Sequence, residues 1–411
     1  MKIPIETPCN ADERTSQLKK HFEASFGGDP RKPYFLITVP LRICPLGAHS
    51  DHQGGTVTGL TIDRSVQLLG QATDLPALNL FSVNFNEQRT VSFDSIPEKI
   101  PGDWGNYARG MVRALREAES FVSRGFNAVI HGAMPIGGLS SSAAVSIAYA
   151  RALEHVNHLS LSALETILLV RATENGYLGL HNGILDQSVI VSSHPNALTC
   201  IDCRSHEITS LAQERSPQPW EILVVYSGLS RQLTGTPFNQ RVAECHEAAR
   251  ELLALAGRPV PHKPILGDVG AEIFFEYQSQ IPETLQRRAR HFFTEAARVH
   301  EGMKVWPTGD MAKFGALVTA SGESSIVNFE SGSPALIALY EILAGISGVY
   351  GTRFCGGGFQ GCCLAIIDPS QRESIAEKLH AAYMARHPEL EGAYSIHFCN
   401  SANSVSVEVV E

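Results

Sequence analysis

A run of three serines behind two glycines carries the clearest chemistry in the chain. Pro135-Ile136-Gly137-Gly138-Leu139-Ser140-Ser141-Ser142-Ala143-Ala144 lies between an apolar stretch and a helical one. Glycines let a backbone approach an anion closely, and the start of a helix turns free N–H groups toward it. Serine hydroxyls add donors, and one of them can also ligate Mg2+. No Gly-Lys-Ser/Thr follows, so this is not the common P-loop. The plainer alternative is a serine-capped helix start after a tight turn.

Two more glycine-bearing loops flank it in sequence. The earlier one reads Leu41-Arg42-Ile43-Cys44-Pro45-Leu46-Gly47-Ala48-His49-Ser50-Asp51-His52-Gln53-Gly54-Gly55. Its Asp and His side chains suit sugar hydroxyls, and its Arg suits a transferring phosphoryl group. The histidines and Asp51 have no partner set at metal-ligand spacing, so a polar surface turn is the alternative here. The later loop, 351–362, holds Gly356-Gly357-Gly358 and Gly361, which alone would serve a tight strand–turn–strand. Between them, Gly183-Ile184-Leu185-Asp186-Gln187 follows Glu174. An Asp in such a place is a base, a metal ligand or a turn former. Cys200 and Cys203 form a CxxC without a second pair, so neither zinc nor redox chemistry is expected of it.

The elements that must hold these loops alternate irregularly. Residues 1–33 read as a helical arm with Leu18, Phe22 and Phe26 on one side. Strands are predicted at 35–39, 57–62, 66–69, 78–83, 90–93, 126–131, 198–201, 222–226, 349–354, 363–367, 393–398 and 404–409. Helices are predicted at 104–120, 140–155, 162–177, 240–255, 282–301, 310–321, 334–344 and 371–385. The mixture lacks strict βαβα order, which argues α+β. A shift from strand-rich to helix-rich near residue 200 marks the expected boundary, giving domains 1–200 and 201–411. The most linker-like stretch is 257–267, with Pro259, Pro261 and Pro264.

Composition bounds the function classes. A length of 411 residues suggests about two to three domains. With 44% hydrophobic and 18% charged residues, a disordered chain, a coiled coil and a collagen-like repeat are excluded. The 33 Lys+Arg against 42 Asp+Glu give a net charge of −9, which argues against nonspecific nucleic-acid binding. No run reaches the roughly 18 apolar residues of a membrane helix. The polar first residues lack a signal-peptide core, and nine scattered cysteines fit a reducing compartment. The expectation is a cytoplasmic protein with no nucleic-acid or membrane partner; a monomer is compatible with this, and the oligomeric state is left open.

Taken together, the loops resemble the three motifs of the GHMP small-molecule kinases, and specifically of the galactokinase branch. The 41–55 loop is similar to that branch's Arg followed by Gly-Glu-His-Thr-Asp-Tyr-x-Gly-Gly. Gly138 to Ala143 is similar to the shared phosphate loop Gly-Leu-Ser-Ser-Ser-Ala, Gly183 to Gln187 to the family's Gly-Ile-Met-Asp-Gln, and Arg353 to Cys362 to the C-terminal glycine loop. The resemblance spans nearly the whole chain. It implies a two-domain α+β GHMP kinase fold with the active site in the interdomain cleft. It implies ATP-dependent phosphorylation of a sugar at its anomeric C1 hydroxyl, with Mg2+ as cofactor. By position, it makes Asp186 the catalytic carboxylate and Arg42 the cation beside it. It gives Ser142 and Glu174 to Mg2+, and Gly137, Gly138, Ser140 and Ser141 to the nucleotide phosphates. Trp104 and Tyr107 match the aromatic pair near the adenine, while Arg42, Ala48, His49, Asp51, Gly183, Asp186 and Phe238 face the sugar.

Departures from the pattern cluster at one end of the implied sugar pocket. Ala48 stands where galactokinases carry a Glu that contacts the C6 hydroxyl, and Phe238 where they usually have Tyr. His52, Cys44, Pro45, Gln360 and Ile136 also differ. A pocket without that Glu has room for a carboxylate at C6. Two carboxylates about 4 Å apart repel by about 4 kcal/mol at an effective dielectric near 20, roughly a thousandfold in affinity. The 42–55 string and Asn182-Gly183-Ile184-Leu185-Asp186-Gln187 are also similar to the plant galacturonokinases. The expected substrate is therefore D-galacturonate, with galactose as the alternative; a catalytically silent sugar sensor is the third reading. Arg231 and His52 are the candidate cations for the carboxylate.

Overall fold

The computed structural model describes residues 3–7, 10–119, 122–134, 138–214, 218–229 and 237–410. Gly137 and Arg231 lie outside them. Among the described residues, no helix is long and apolar enough to cross a membrane.

Among the described residues, twelve strands form two sheets. In chain order they are β1 Tyr34–Ile43, β2 Thr56–Ala72, β3 Ala77–Ser82, β4 Glu87–Ser92, β5 Phe126–Gly132, β6 Ala197–Asp202, β7 Ile208–Ala212, β8 Glu221–Tyr226, β9 Val349–Phe354, β10 Cys362–Ile367, β11 Ser395–Cys399 and β12 Ser406–Val410. The first sheet runs β12-β1-β2-β5-β3-β4, with β6 and β7 attached at the other end of β2. The second runs β11-β8-β10-β9 and is antiparallel throughout. The α+β expectation holds. The boundary expected near residue 200 falls inside β6, whereas the change of sheet falls between Ala212 and Glu221, and β12 returns to the first sheet.

The strands predicted at 57–62 and 66–69 are one strand. Asp63-Arg64-Ser65 looks like a polar break, but it is a register shift opposite Pro40 and Leu41. Proline has no N–H for the ladder, and an irregularity absorbs that loss. The resulting 17-residue β2 pairs with β6 through Thr56–Gly59 and with β5 through Val66–Ala72. One strand thereby braces the 41–55 loop, which joins it to β1, and the strand that leads to the serine run.

The helices follow from small and apolar residues on one face. Ser141–Asn157 presents Ala143, Ala144, Ile147 and Ala148, all buried, to the first sheet, where small side chains permit close approach. Ala11–Phe26 buries Leu18 and Phe22 against Leu69 and Val129. On the second sheet, Pro334–Ala344 and Arg372–Arg386 cover Leu223, Val225, Cys363 and Ala365. The helices Phe238–Leu255 and Glu283–Val305 pack on each other in a third cluster around Phe274 and Phe329. The 257–267 stretch is a connection within this helical part, which explains its prolines.

Candidate active site

Between the two sheets opens a cleft of about 720 Å³. Arg42, Ala48, His49, Asp51, Trp104, Tyr107, Gly138, Ser140, Ser141, Ser142, Asp186 and Phe238 all line it. Every one of these was singled out from sequence. Gly183 packs on the lining residue Asp51, and Glu174 is bonded to the lining residue Asn182.

At the centre is an ion pair. Arg42, at the end of β1, donates from Nε (2.9 Å) and from a terminal nitrogen (2.6 Å) to Asp186 Oδ1. Its other terminal nitrogen donates to the Gly138 carbonyl at 3.1 Å. Three loops distant in sequence are thus tied by one buried guanidinium, whose planar fork suits such fixed geometry. Asp186 sits in the first turn of the helix Leu185–Ser192, where sequence alone offers a base, a metal ligand or a turn former. The helix is short and begins after Gly183, so its periodicity is hard to see. Gly183 is required for contact: a Cβ there would lie 2.6 Å from Asp51 Oδ2.

Asp51 and Glu174 share this site with Asp186, and one guanidinium serves all three carboxylates. Burial, then the nearby Asp186 charge, raises the Asp51 pKa to about 6. The same two causes, in the same order, raise Glu174 to about 7, against the hydrogen bond from Asn182 and the nearby Ser142 hydroxyl. Glu174 lies in a single π-helical turn, Ala172–Tyr177, of the sort that recurs at functional sites. Its Oε2 accepts from Asn182 Nδ2 at 2.7 Å, while Oε1 is buried without a hydrogen-bond partner among the described residues. A buried orphan carboxylate oxygen next to a serine hydroxyl, at a helix start facing the cleft, fits a hard cation that takes its remaining ligands from phosphate and water.

The serine run has the donors that an anion cradle needs. Ser140 is the N-cap of the Ser141–Asn157 helix and holds φ at +61°, a conformation costly for a residue with a Cβ. Its hydroxyl is buried and unpartnered among the described residues. The first N–H groups of the helix have no intrahelical acceptor. Gly138 packs directly on the 351–362 loop, since a Cβ there would lie 2.9 Å from the Cys355 carbonyl. That later loop lines the cleft with Gly356 to Gln360, so its glycines serve loop-to-loop contact as well as the turn.

At the far end, Trp104 and Phe85 lie nearly parallel, with centroids 6.3 Å apart and planes at 14°. Arg89 covers the Trp104 ring at 5.6 Å and pairs with Asp103. Sequence reading found Trp104 but missed Phe85, Glu87 and Arg89, which β4 and its turn bring from another stretch.

The sugar-type loop is fastened from behind by a helix the sequence reading left without function. His291 and Glu295 are one turn apart on Glu283–Val305. Since the Ala48 carbonyl can only accept, His291 Nε2 donates to it at 2.9 Å, and Nδ1 accepts from Ser324. Glu295 Oε1 accepts the Gly47 N–H at 2.7 Å and the Ser321 hydroxyl at 2.5 Å. Its other oxygen takes Arg298 at 2.6 Å, and the buried Arg353 lies 3.6 Å away. Replacing Glu295 with Gln keeps an acceptor but removes the counter-charge of two arginines. We expect a stability loss of about 1–3 kcal/mol, seen as a lower urea midpoint at constant m. An unchanged midpoint would show that the anchor is dispensable.

His52, one of the two cations considered for an acidic sugar, does not line the cleft. Its Nδ1 meets Gln53 Nε2 at 2.9 Å, and burial first, then nearby histidines, push its pKa down to about 3. It is neutral at pH 7 and supplies no standing charge.

Residues 106–194 match the family GHMP kinases N terminal domain, and residues 299–385 match GHMP kinases C terminal. The chain is 38% identical to a galacturonokinase of Arabidopsis thaliana, over 94% of this chain and 97% of the relative. It is 30% identical to a galactokinase of Roseiflexus sp. (strain RS-1), over 95% and 96% of the two. In three dimensions it is similar to Lactococcus lactis galactokinase complexed with galactose, with a TM-score of 0.86 at 27% identity, covering 96% of this chain and 99% of the other. It shares the fold of Methanococcus jannaschii mevalonate kinase, with a TM-score of 0.64 at 17% identity, covering 91% of this chain and 100% of the other.

Proposed function

The chain belongs to the GHMP kinases, and on that footing we propose that it transfers the γ-phosphoryl group of ATP to the anomeric C1 hydroxyl of D-galacturonate. The carrying observation is Ala48: a methyl group lines the cleft where the galactokinase signature has a carboxylate. The 38% identity to a galacturonokinase over almost the full length supports the same substrate.

In this reading the sugar lies against Ala48, His49, Asp51, Gly183 and Phe238, with its C1 hydroxyl toward Asp186. Asp51, fixed against Gly183, takes neighbouring ring hydroxyls. Asp186 accepts the hydroxyl proton or aligns the oxygen. Arg42, paired to it, offsets charge that develops on the transferring phosphoryl. The nucleotide phosphates lie on Gly138, Ser140, Ser141 and the helix start, with Gly137 beside them in sequence, and the base lies toward Trp104 and Tyr107. Ser142 and Glu174 would hold Mg2+, which when bound neutralises phosphate charge. Positioning and electrostatics of this kind suffice for phosphoryl transfer, which asks little covalent help of the protein.

The test is a side-by-side measurement of kcat/KM for galacturonate, galactose and glucuronate with ATP. Galacturonate is expected to lead galactose by about an order of magnitude or more, because Ala48 leaves the C6 hydroxyl of galactose without a charged acceptor worth about 1.5–3 kcal/mol. Galactose turned over as well as galacturonate would leave plain galactokinase standing. Binding without turnover of either sugar would leave a sensor.

A further inference from the structure

An acid sugar needs a counter-charge, and the sugar end of the cleft supplies no standing one among the described residues. Arg42 is engaged with Asp186 and Gly138. Arg89 and Lys99 also line the cleft, but Arg89 is paired with Glu87 and Asp103 at the Trp104 end, and Lys99 donates to the Leu178 carbonyl at 2.6 Å. Arg353, behind the loop, is spent on Ser321, Ser325, the Phe354 carbonyl and Glu295.

His49 is different. It follows Ala48, lines the cleft, and is only 6% exposed. Its Nε2 is buried without a hydrogen-bond partner among the described residues. Its backbone is held at φ +62°, a costly conformation for a residue with a side chain. The ring stacks on Phe329 with centroids 4.0 Å apart and planes at 8°. A neutral imidazole in that stack gains a cation–π contact once it is protonated.

We propose that His49 is the group that recognises the carboxylate of the acid sugar, and that it does so by taking up a proton as the sugar binds. This rests on the galacturonate reading above and adds how the charge is met. In the empty cleft, burial first, then His291, Arg353 and His52, hold the His49 pKa well below its ordinary value. His291 faces it from the Glu283–Val305 helix at 5.6 Å, Arg353 from β9, and His52 and Asp51 from its own loop. A bound carboxylate reverses that balance by placing a negative charge beside the ring. Linkage fixes the sign: between the free and the bound pKa of His49, the dissociation constant for the acid sugar rises roughly tenfold per pH unit. Asp51, whose pKa burial raises to about 6, also changes charge at the low end of this range, but in this reading it meets ring hydroxyls common to both sugars, so the difference between sugars isolates His49.

The experiment is calorimetric titration of the full chain with galacturonate near pH 7, in buffers of different ionisation enthalpy. KM is also measured for galacturonate and galactose between about pH 6 and 8, where a sugar carboxyl stays ionised. About one proton is expected to be taken up per galacturonate bound, with a KM that climbs with pH for galacturonate only. His49→Gln should abolish the uptake and flatten the slope. Should that variant fail to fold, nitrogen-15 histidine spectra of the wild type must show one imidazole becoming protonated when galacturonate is added. Binding without proton uptake would overturn the proposal and indicate a standing cation. Uptake unchanged in a folded His49→Gln protein would do the same. Failure to bind galacturonate at all would sink the substrate reading instead.

Discussion

Asp186→Asn is expected to lower kcat by about 10²–10⁴-fold, the usual contribution of a positioned proton acceptor, while ATP still binds. The geometry explains why so small a change matters. Both bonds from Arg42 end on Oδ1, which leaves Oδ2 to the cleft. Asparagine can keep its oxygen toward Arg42, but its amide then faces the substrate and cannot accept a proton. The phosphate cradle and the Trp104 end depend on other residues, so nucleotide affinity is the internal control. A loss near the lower end of the range would mean that the carboxylate chiefly aligns the hydroxyl. Near wild-type turnover would remove Asp186 from the chemistry.

Ala48→Glu is expected to invert substrate preference. Ala48 lines the cleft and its carbonyl is held by His291, so a longer side chain here is expected to enter the sugar end. A new carboxylate about 4 Å from the sugar's own repels it by up to about 4 kcal/mol at an effective dielectric near 20, less whatever ions and water screen. It also gives the C6 hydroxyl of galactose a charged acceptor, worth about 1.5–3 kcal/mol. Both effects act in one direction, so the ratio of kcat/KM for galacturonate to that for galactose should fall by roughly a thousandfold or more. Measuring that ratio in the variant checks it. An unchanged ratio would mean that position 48 does not face C6.

Much of this site was legible because its residues sit in short loops whose types are unusual. Arg42, Asp51, Asp186 and the three serines were all found from loop composition, and the structure draws them to one cleft. What stayed hidden depends on tertiary approach. His291 and Glu295 occupy an amphipathic helix like any other, and nothing local marks them as the anchor of a loop some 240 positions earlier. Asn182 was quoted as part of a motif but given no role, because its task, holding Glu174, requires the π-helical turn. Phe85, Glu87 and Arg89 read as ordinary strand and turn residues until β4 is folded beside Trp104. The fold shows the same division. Helices with a clear apolar face were recovered, whereas the continuity of β2 was lost to a polar interruption that is a register shift.

The return of β12 to the first sheet carries a consequence for biosynthesis. Tyr34 pairs with Val410, so the outer edge of β1 finds its partner only after about 375 further residues have been translated. At about 5–20 residues per second, that edge waits roughly 20–75 s on the ribosome. Every strand of the second sheet emerges before β12 does. The order of emergence therefore lets the later-encoded domain complete its sheet first, while the earlier-encoded one holds an open apolar edge of the kind that templates aggregation. Holding chaperones during translation would matter most over that interval, and substitutions in β12 would register as lower yield before they registered as lower activity.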